Sequence, residues 1–236
     1  MVRGPRHRGR ESRVRALGNP ATGWRVMAVV ASALLTAACS VLPSPKAGPT
    51  HTYRLQQPAS AGPVPASPGT AVLAVAVPEA GAGLDTARMA YVKQPFGIRY
   101  FARSRWADTP AHMLAPLMVS ALAASGRFGA VLPAPASVPA ALELDTRLLR
   151  FDQDFTHTPS RVTIALSARV TDRVHQRILA TRVFQVSEPA PGDDPYAGVQ
   201  AANRAVDRLL KQLTAFCVAQ LPPHPPTAQG EAGRRQ

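Results

Sequence analysis

The chain has 236 residues, 46% of them hydrophobic and 17% charged, and a formal net charge of +13. This length fits one domain with a sizeable hydrophobic core. Only two cysteines occur, which excludes a fold held together by several disulfides.

The N-terminal part of the chain has the pattern of a bacterial lipoprotein signal. An arginine-rich segment ending at Arg25 precedes an apolar run over residues 27–38. This run is shorter than the roughly 20 apolar residues that a membrane-spanning helix needs. Ala37 and Ala38 are small enough for a signal peptidase, and Cys39 follows directly. We predict cleavage before Cys39 and attachment of a lipid to its sulfur; the alternative is an ordinary secretory signal with an incidental cysteine.

Composition divides the chain into four parts. Residues 1–38 form the predicted signal peptide, whose long arginine-rich segment fits either a cytoplasmic extension or a start codon assigned too far upstream. Residues 39–51 are a lipidated, proline-containing flexible tether, and residues 52–220 are the folded domain. Residues 221–236 begin with several prolines and are predicted to be a disordered tail.

Because the protein is predicted to be exported without its signal peptide, the relevant net charge is that of the residues from Cys39 onward. Seven of the 27 basic and one of the 14 acidic residues precede Cys39, so the exported chain has a net charge of +7. An exported protein does not meet nucleic acid, so anionic lipid headgroups or an acidic protein face are the favoured partners. The alternative is a solvated arginine-rich surface. Cys217 lies on a helical apolar stripe and is predicted to be a buried hydrophobic residue.

The first half of the domain contains strand signals and one helix. Three segments have the composition of strands, the last two flanking a turn signal at Gln94–Gly97 that predicts a hairpin: 71–77, 89–93 and 98–101. Thr109 and Pro110 then form the start signal of a helix. Apolar residues follow at helical spacing, and Gly126 ends the helix.

The second half repeats this arrangement with longer elements. Three segments alternate apolar and polar residues as strands do: 142–155, 161–171 and 178–187. Asp194 and Pro195 begin a last helix, whose apolar stripe runs from Val199 to Cys217. The fold class that follows is α/β, a single domain with a mixed sheet of about five to six strands packed against two main helices.

The sequence contains no catalytic signature. It has no HExxH or GxSxG motif and no glycine-rich phosphate loop, and its histidines lack the spacing of metal ligands. Asp152 and Asp154 could act as paired carboxylates, but their position at a strand end favours a solvated turn. Asp193 and Asp194 are better explained as a loop residue and a helix cap. We therefore predict a protein that is not an enzyme and has no metal or cofactor.

Aromatic and basic residues are concentrated around the predicted hairpin. The cluster consists of Tyr91, Phe96, Tyr100, Phe101, Arg103, Arg105 and Trp106. On a hairpin, Tyr91 could stack across the strands with Tyr100 or Phe101. Tryptophan and arginine are enriched in protein interfaces, so the cluster predicts a docking surface. The alternative is an aromatic core beneath the sheet.

Two blocks around this cluster resemble the ABC-type transport auxiliary lipoproteins, the PqiC/YmbA-like proteins. They are Leu84–Tyr91 and Ile98–Pro110, and the second is the more specific. The resemblance also takes in Tyr53–Leu55 and the phrase Ser125–Phe128, and it covers about residues 50–220.

The resemblance implies a role in transport. Such lipoproteins accompany transporters with an MCE-domain (MlaD-like) subunit, which move lipids or hydrophobic compounds between the two membranes of Gram-negative bacteria. The protein would be anchored through Cys39 at the periplasmic face of the outer membrane, and Ser40 after the cysteine fits release to that membrane. Because some relatives form rings, a homo-oligomer is also implied.

Two functions follow as expectations. The first is a docking subunit of such a transporter, with these candidate contacts: Arg88, Tyr91, Tyr100, Arg103, Arg105 and Trp106. The alternative is a self-contained periplasmic lipid carrier with a cavity between sheet and helices, for which small residues such as Ala121 and Ala123 would leave room.

Overall fold

The computed structural model describes residues 48–56 and 69–221. The predicted signal peptide, Cys39, most of the tether and residues 222–236 of the predicted tail lie outside the described residues. The segment from residue 49 onward forms one compact unit, which contains every helix and strand described below.

Nine strands and two helices make up the described fold. The strands are β1 His51–Tyr53, β2 Val72–Val75, β3 Glu79–Ala80, β4 Arg88–Val92, β5 Arg99–Trp106, β6 Ala130–Pro133, β7 Leu142–Asp154, β8 Arg161–Asp172 and β9 Arg177–Pro189. The helices are α1 Pro110–Ala124, between β5 and β6, and α2 Pro195–Val218, after β9.

All nine strands belong to one mixed sheet with β7 at its centre. On one side, β7 pairs antiparallel with β8, which pairs antiparallel with β9. On the other side, β7 pairs in parallel with β2, β3 and β4, each along a different part of its length. The sheet then extends from β2 to β6 and, separately, from β4 through β5 to β1. The predicted α/β class is confirmed, and the sheet has more strands than the five to six predicted.

The three long strands carry the core face of the sheet. Leu144, Leu148, Ile164 and Leu166 are completely shielded from solvent. This is the alternation that the sequence predicts for strands with one buried face. Helix α2 covers the face, and its stripe of apolar residues is buried from Val199 to Cys217.

Both helices begin as their sequences predict. The Thr109 hydroxyl accepts from the backbone N–H of His112, and Pro110 is the first residue of α1. Gly126 follows the end of α1 with a φ of 63°, a conformation that glycine adopts without steric cost. The Asp194 carboxylate accepts from the N–H groups of Tyr196 and Ala197 at the start of α2.

Candidate functional site

The hairpin predicted around Gln94–Gly97 is formed by β4 and β5. The two strands are antiparallel, with Tyr91 opposite Arg99 and Ala90 opposite Tyr100. The register then shifts, so that Arg88 lies opposite Arg105. Such an irregularity leaves extra residues in one strand and changes which side chains share a face. It therefore lets β5 direct the predicted contact residues to different surfaces.

Arg88, Tyr100 and Arg105 lie together on one part of this hairpin. The Arg88 guanidinium carbon is 4.3 Å from the centre of the Tyr100 ring. The Tyr100 hydroxyl donates a hydrogen bond of 2.8 Å to the carbonyl of Gly83, which fixes the ring. A guanidinium over an aromatic face is attracted by the negative charge density of the ring. Arg88 is thereby held in place while remaining solvent-exposed.

Tyr91 belongs to a second, half-buried aromatic group on the hairpin. Its ring centre is 4.6 Å from that of Phe101 and 5.9 Å from that of Phe155. Of the two stacking partners that the sequence allows, the structure selects Phe101. Phe155 follows β7 directly and was not anticipated from sequence, since only the three-dimensional pairing of β4 with β7 brings it to the hairpin.

Trp106, the last predicted contact, is in the core. Only 4% of its surface is exposed, and its ring stacks on that of Phe151 with centres 5.3 Å apart. It therefore anchors the end of β5 to β7 and is not available to a partner at the surface. Arg103 and Arg105, by contrast, are exposed on the same strand.

The basic residues of the hairpin have no counter-charge within the described part of the chain. No carboxylate there lies within 4.0 Å of the side-chain nitrogens of Arg88, Lys93, Arg99, Arg103 or Arg105. The sequence contains no acidic residue between Asp85 and Asp108. We refer to the exposed side chains of Arg88, Arg103 and Arg105, together with the half-buried Tyr100, as the arginine surface.

Asp152 and Asp154 do not form the solvated turn that was predicted. They are the buried end of β7, and Arg150 binds both of them. Its Nε and Nη2 each lie 2.8 Å from an oxygen of Asp152, and Nη2 is 3.0 Å from Asp154 Oδ2. Hydrogen bonding to Asp152 raises the pKa of Arg150. Burial alone would raise the pKa of Asp154, but hydrogen bonds from Thr156 and Arg150 outweigh it and lower that pKa. Asp154 is thus held ionised, and Arg150 ties both carboxylates into a structural brace.

The described residues offer neither a reactive thiol nor a cluster of metal ligands. Cys217 is buried as predicted, and burial raises the pKa of its thiol to about 12, which makes it a poor nucleophile. Within residues 48–56 and 69–221, no three His, Cys, Asp or Glu side chains are grouped as metal ligands. No helix in that part of the chain is long and apolar enough to cross a membrane.

Two spaces between elements of the described residues differ in size and lining. The void between the hairpin, β7 and α2 has a volume of about 10 Å³, which is the room of one water molecule at most. A larger groove of about 590 Å³ lies along α2. It is lined by side chains that already pair with one another, with Arg208 2.7 Å from Glu188 and Lys211 2.8 Å from Asp207.

Comparisons with known proteins agree with this fold. An uncharacterized protein of Bradyrhizobium diazoefficiens is 32% identical over 171 residues, which are 71% of this chain and 44% of that protein. The chain thus spans less than half the length of this relative. A Xanthomonas campestris crystal structure of the DUF330 family superposes with a TM-score of 0.63 at 24% identity, covering 72% of this chain and 95% of that one. A second crystal structure, of an uncharacterized protein, gives a TM-score of 0.57 at 12% identity and covers 72% and 99% of the two chains.

The family relationship rests on the sequence match. The family described as ABC-type transport auxiliary lipoprotein component matches residues 53–214, a span that contains the hairpin, α1, the three long strands and most of α2. It is a family of transport auxiliary lipoproteins and not a known family of enzymes. Because the match extends over well above half of the chain, the protein belongs to the ABC-type transport auxiliary lipoproteins.

Proposed function

We propose that this protein is the outer-membrane-anchored lipoprotein subunit of an ABC transporter whose periplasmic part contains an MCE domain. In this role it docks that periplasmic subunit while lipids or other hydrophobic compounds move between the two membranes. Lipidation of Cys39 holds it at the periplasmic face of the outer membrane. The family assignment supports the transport role, and the arginine surface supports docking.

The single observation that carries the docking role is the lack of counter-charges around the arginine surface. Exposed arginines that are already paired within a fold have little left to offer a partner, whereas unpaired ones can bind carboxylates of another protein in a bidentate geometry. Tyr100 and its neighbours add aromatic area, which is characteristic of interface centres. The partner face that fits is acidic, with carboxylates spaced to meet the guanidinium groups of Arg88 and Arg105.

The test is co-purification of the lipidated protein from detergent-solubilised envelopes, read by mass spectrometry. We expect the parent protein to recover an MCE-domain subunit. Arg105→Glu places a like charge against the acidic partner face and should reduce this recovery by about tenfold or more. The matched control is Arg127→Glu, which reverses another exposed arginine without an ion-pair partner among the described residues, outside the hairpin.

Two results would contradict this proposal. Equal recovery with Arg105→Glu and Arg127→Glu would exclude the arginine surface as the docking site. Absence of any MCE-domain subunit from a lipidated, folded parent protein would exclude the transporter partner itself.

The alternative of a self-contained lipid carrier finds no support in the described residues. An acyl chain needs an apolar cavity of several hundred Å³, and the apolar void beneath the hairpin measures about 10 Å³. The larger groove along α2 is lined by charged groups that are already paired.

A further inference from the structure

The tip of the hairpin presents apolar side chains to solvent in an unusual way. Phe96 is completely exposed, at 109% of its reference surface, and Ile98 is 48% exposed. The φ of Phe96 is 64°, in the left-handed region that bulky residues avoid. The turn is closed by a hydrogen bond from the Gly97 N–H to the Gln94 carbonyl. A backbone outlier that holds a bare aromatic ring at a turn tip has no role in core packing and points to a function.

One basic side chain lies on each side of this apolar tip. Lys93 precedes the turn and Arg99 follows it, and both are exposed. Carboxylates at the same end of the sheet are engaged within the fold. Arg150 and Thr156 bind Asp154, and the start of α2 uses Asp194. An apolar tip flanked by two cations matches the interface of an anionic bilayer, where aromatic residues lie at headgroup level and cations meet lipid phosphates.

The N-terminal strand begins on the side of this tip. β1 pairs in parallel with β5, with His51 level with Ser104. The N-terminal end of β1 therefore faces the same way as Arg99, the end of β5 next to the hairpin tip. Ser104 lies five residues from Arg99, which is about 17 Å along a strand. The 12 residues from Cys39 to His51 span up to about 40 Å when extended. The entry to β1 thus lies toward the tip end of the hairpin, and this length of chain is enough to let the tip reach a membrane that holds Cys39.

We propose that the hairpin tip inserts Phe96 and Ile98 into the headgroup region of the anionic phospholipid leaflet that holds the lipidated Cys39. Lys93 and Arg99 bind the lipid phosphates around it. The inference rests on the proposed function only in that Cys39 is lipidated. Insertion gives the anchored domain a second attachment and fixes its orientation, with the strands of the hairpin rising from the membrane and the Arg88–Arg105 pair, at their far end, held away from it. A lipid anchor alone would leave the domain free to rotate on its tether.

The test places a single fluorescent reporter at the tip of the full lipidated chain. Phe96→Trp is reconstituted in vesicles of phosphatidylcholine and phosphatidylglycerol, with and without bromine on the acyl chains, and tryptophan quenching is measured. The matched control is Val174→Trp, which changes a 68% exposed side chain in the turn between β8 and β9, at the opposite end of the strands. The unsubstituted protein gives the background of Trp106, which is buried. Circular dichroism confirms that both variants are folded.

We expect brominated lipid to reduce the residue-96 fluorescence by about twofold, and to leave the residue-174 fluorescence within about a tenth of its starting value. Replacing the anionic lipid by phosphatidylcholine alone should diminish the effect at residue 96. Equal quenching at the two positions overturns tip insertion, and equal quenching in neutral and anionic vesicles overturns the role of the cations.

The remaining outcomes separate this inference from the proposed function. A lipidated chain whose tip is not quenched overturns tip insertion and leaves docking intact. Mass spectrometry that shows an unmodified Cys39 overturns the proposed anchoring. Shielding of the residue-96 tryptophan from acrylamide only after an MCE-domain subunit is added, without quenching by lipid, would assign the tip to the protein partner and overturn insertion.

Discussion

Basic residues have different surroundings in two regions of the molecule, the β4–β5 hairpin and the layer formed by β7–β9 with α2. In the layer, most basic side chains meet a carboxylate: Arg169 lies 3.2 Å from Asp145, and Arg173 lies 3.1 Å from Glu143. On the hairpin, no basic side chain has such a partner among the described residues. Arg88 and Arg105 lie opposite each other on the neighbouring strands β4 and β5. Like charges directly opposite on neighbouring strands are destabilising.

We propose that this difference separates the charges that serve the fold from those that serve a partner. The paired residues of the layer contribute little beyond solubility and local order, as surface ion pairs generally do. The contact of Arg88 with the Tyr100 ring offsets part of the electrostatic cost on the hairpin, but no carboxylate among the described residues neutralises its charges. Such a cost is expected where the counter-charges come from another molecule, because functional sites often keep features that lower the stability of the isolated protein.

The largest expected effect contrasts two aromatic residues of the hairpin region. Trp106→Ala should destabilise the protein by about 3–5 kcal/mol, because it removes a buried ring stacked on Phe151 and leaves a cavity. Phe96→Ala should change the free energy of unfolding by less than about 0.5 kcal/mol, since its side chain packs against nothing in the fold. Urea unfolding followed by circular dichroism measures both. Similar losses from the two substitutions would remove the distinction between core and tip.

A smaller effect is expected at acid pH in the turn that follows β8. Hydrogen bonds from the backbone N–H and the ring of His175 lower the pKa of Asp172 from 3.8 to about 2. Because the folded-state pKa is depressed, the stability contributed by this carboxylate is present above the unfolded value and is lost as the pH falls from about 4 to about 2.

Asp172→Asn tests this pH dependence. Asparagine keeps an oxygen that accepts from the N–H groups of Val174 and His175 but carries no charge. The urea midpoint of the variant should therefore fall less steeply than that of the parent between about pH 4 and pH 2. If the urea midpoints of the two proteins fall equally steeply over this pH range, this carboxylate does not contribute to the acid sensitivity of the fold.

Local signals predicted the parts of the fold that short segments determine. The caps at Thr109 and Asp194, the turn at Gln94–Gly97 and the alternation of the long strands each depend on a few neighbouring residues, and each is confirmed. The two-residue strand β3 and the four-residue strand β6 were missed, because segments of that length show no period and exist only through pairing with β7 and β2.

The candidate site was predicted less completely than the fold. The sequence identified the hairpin cluster but could not decide between interface and core, since aromatic residues suit both. The structure separates Trp106, which is buried, from Arg103 and Arg105, which are exposed. The brace at Arg150 did have a sequence signal. Arginine, aspartate and aspartate at alternate positions share one face of a strand, but burial of that face depends on strands distant in sequence.

The smallest expected effect is also the one that bears most directly on the comparison. Arg105→Gln removes one of two like charges that lie opposite each other without counter-charges. It should therefore stabilise the isolated protein slightly, by up to about 0.5 kcal/mol at low ionic strength. The gain should vanish in about 1 M salt, where the screening length is about 3 Å. Arg169→Gln is the matched control in the layer, since it breaks the contact with Asp145 and should leave stability unchanged or lower it slightly.

The comparison requires that Arg105→Gln stabilises the isolated protein, whereas Arg169→Gln leaves its stability unchanged or lowers it. A surface that serves only the fold gains nothing from losing an arginine, whereas a surface kept for an acidic partner becomes more stable in isolation and loses the partner. Urea midpoints at low and high salt, together with the recovery of the partner in co-purification, decide between these two kinds of surface. Destabilisation by Arg105→Gln at low salt would mean that the arginine has a stabilising contact within the fold, and the hairpin would then no longer differ in kind from the layer.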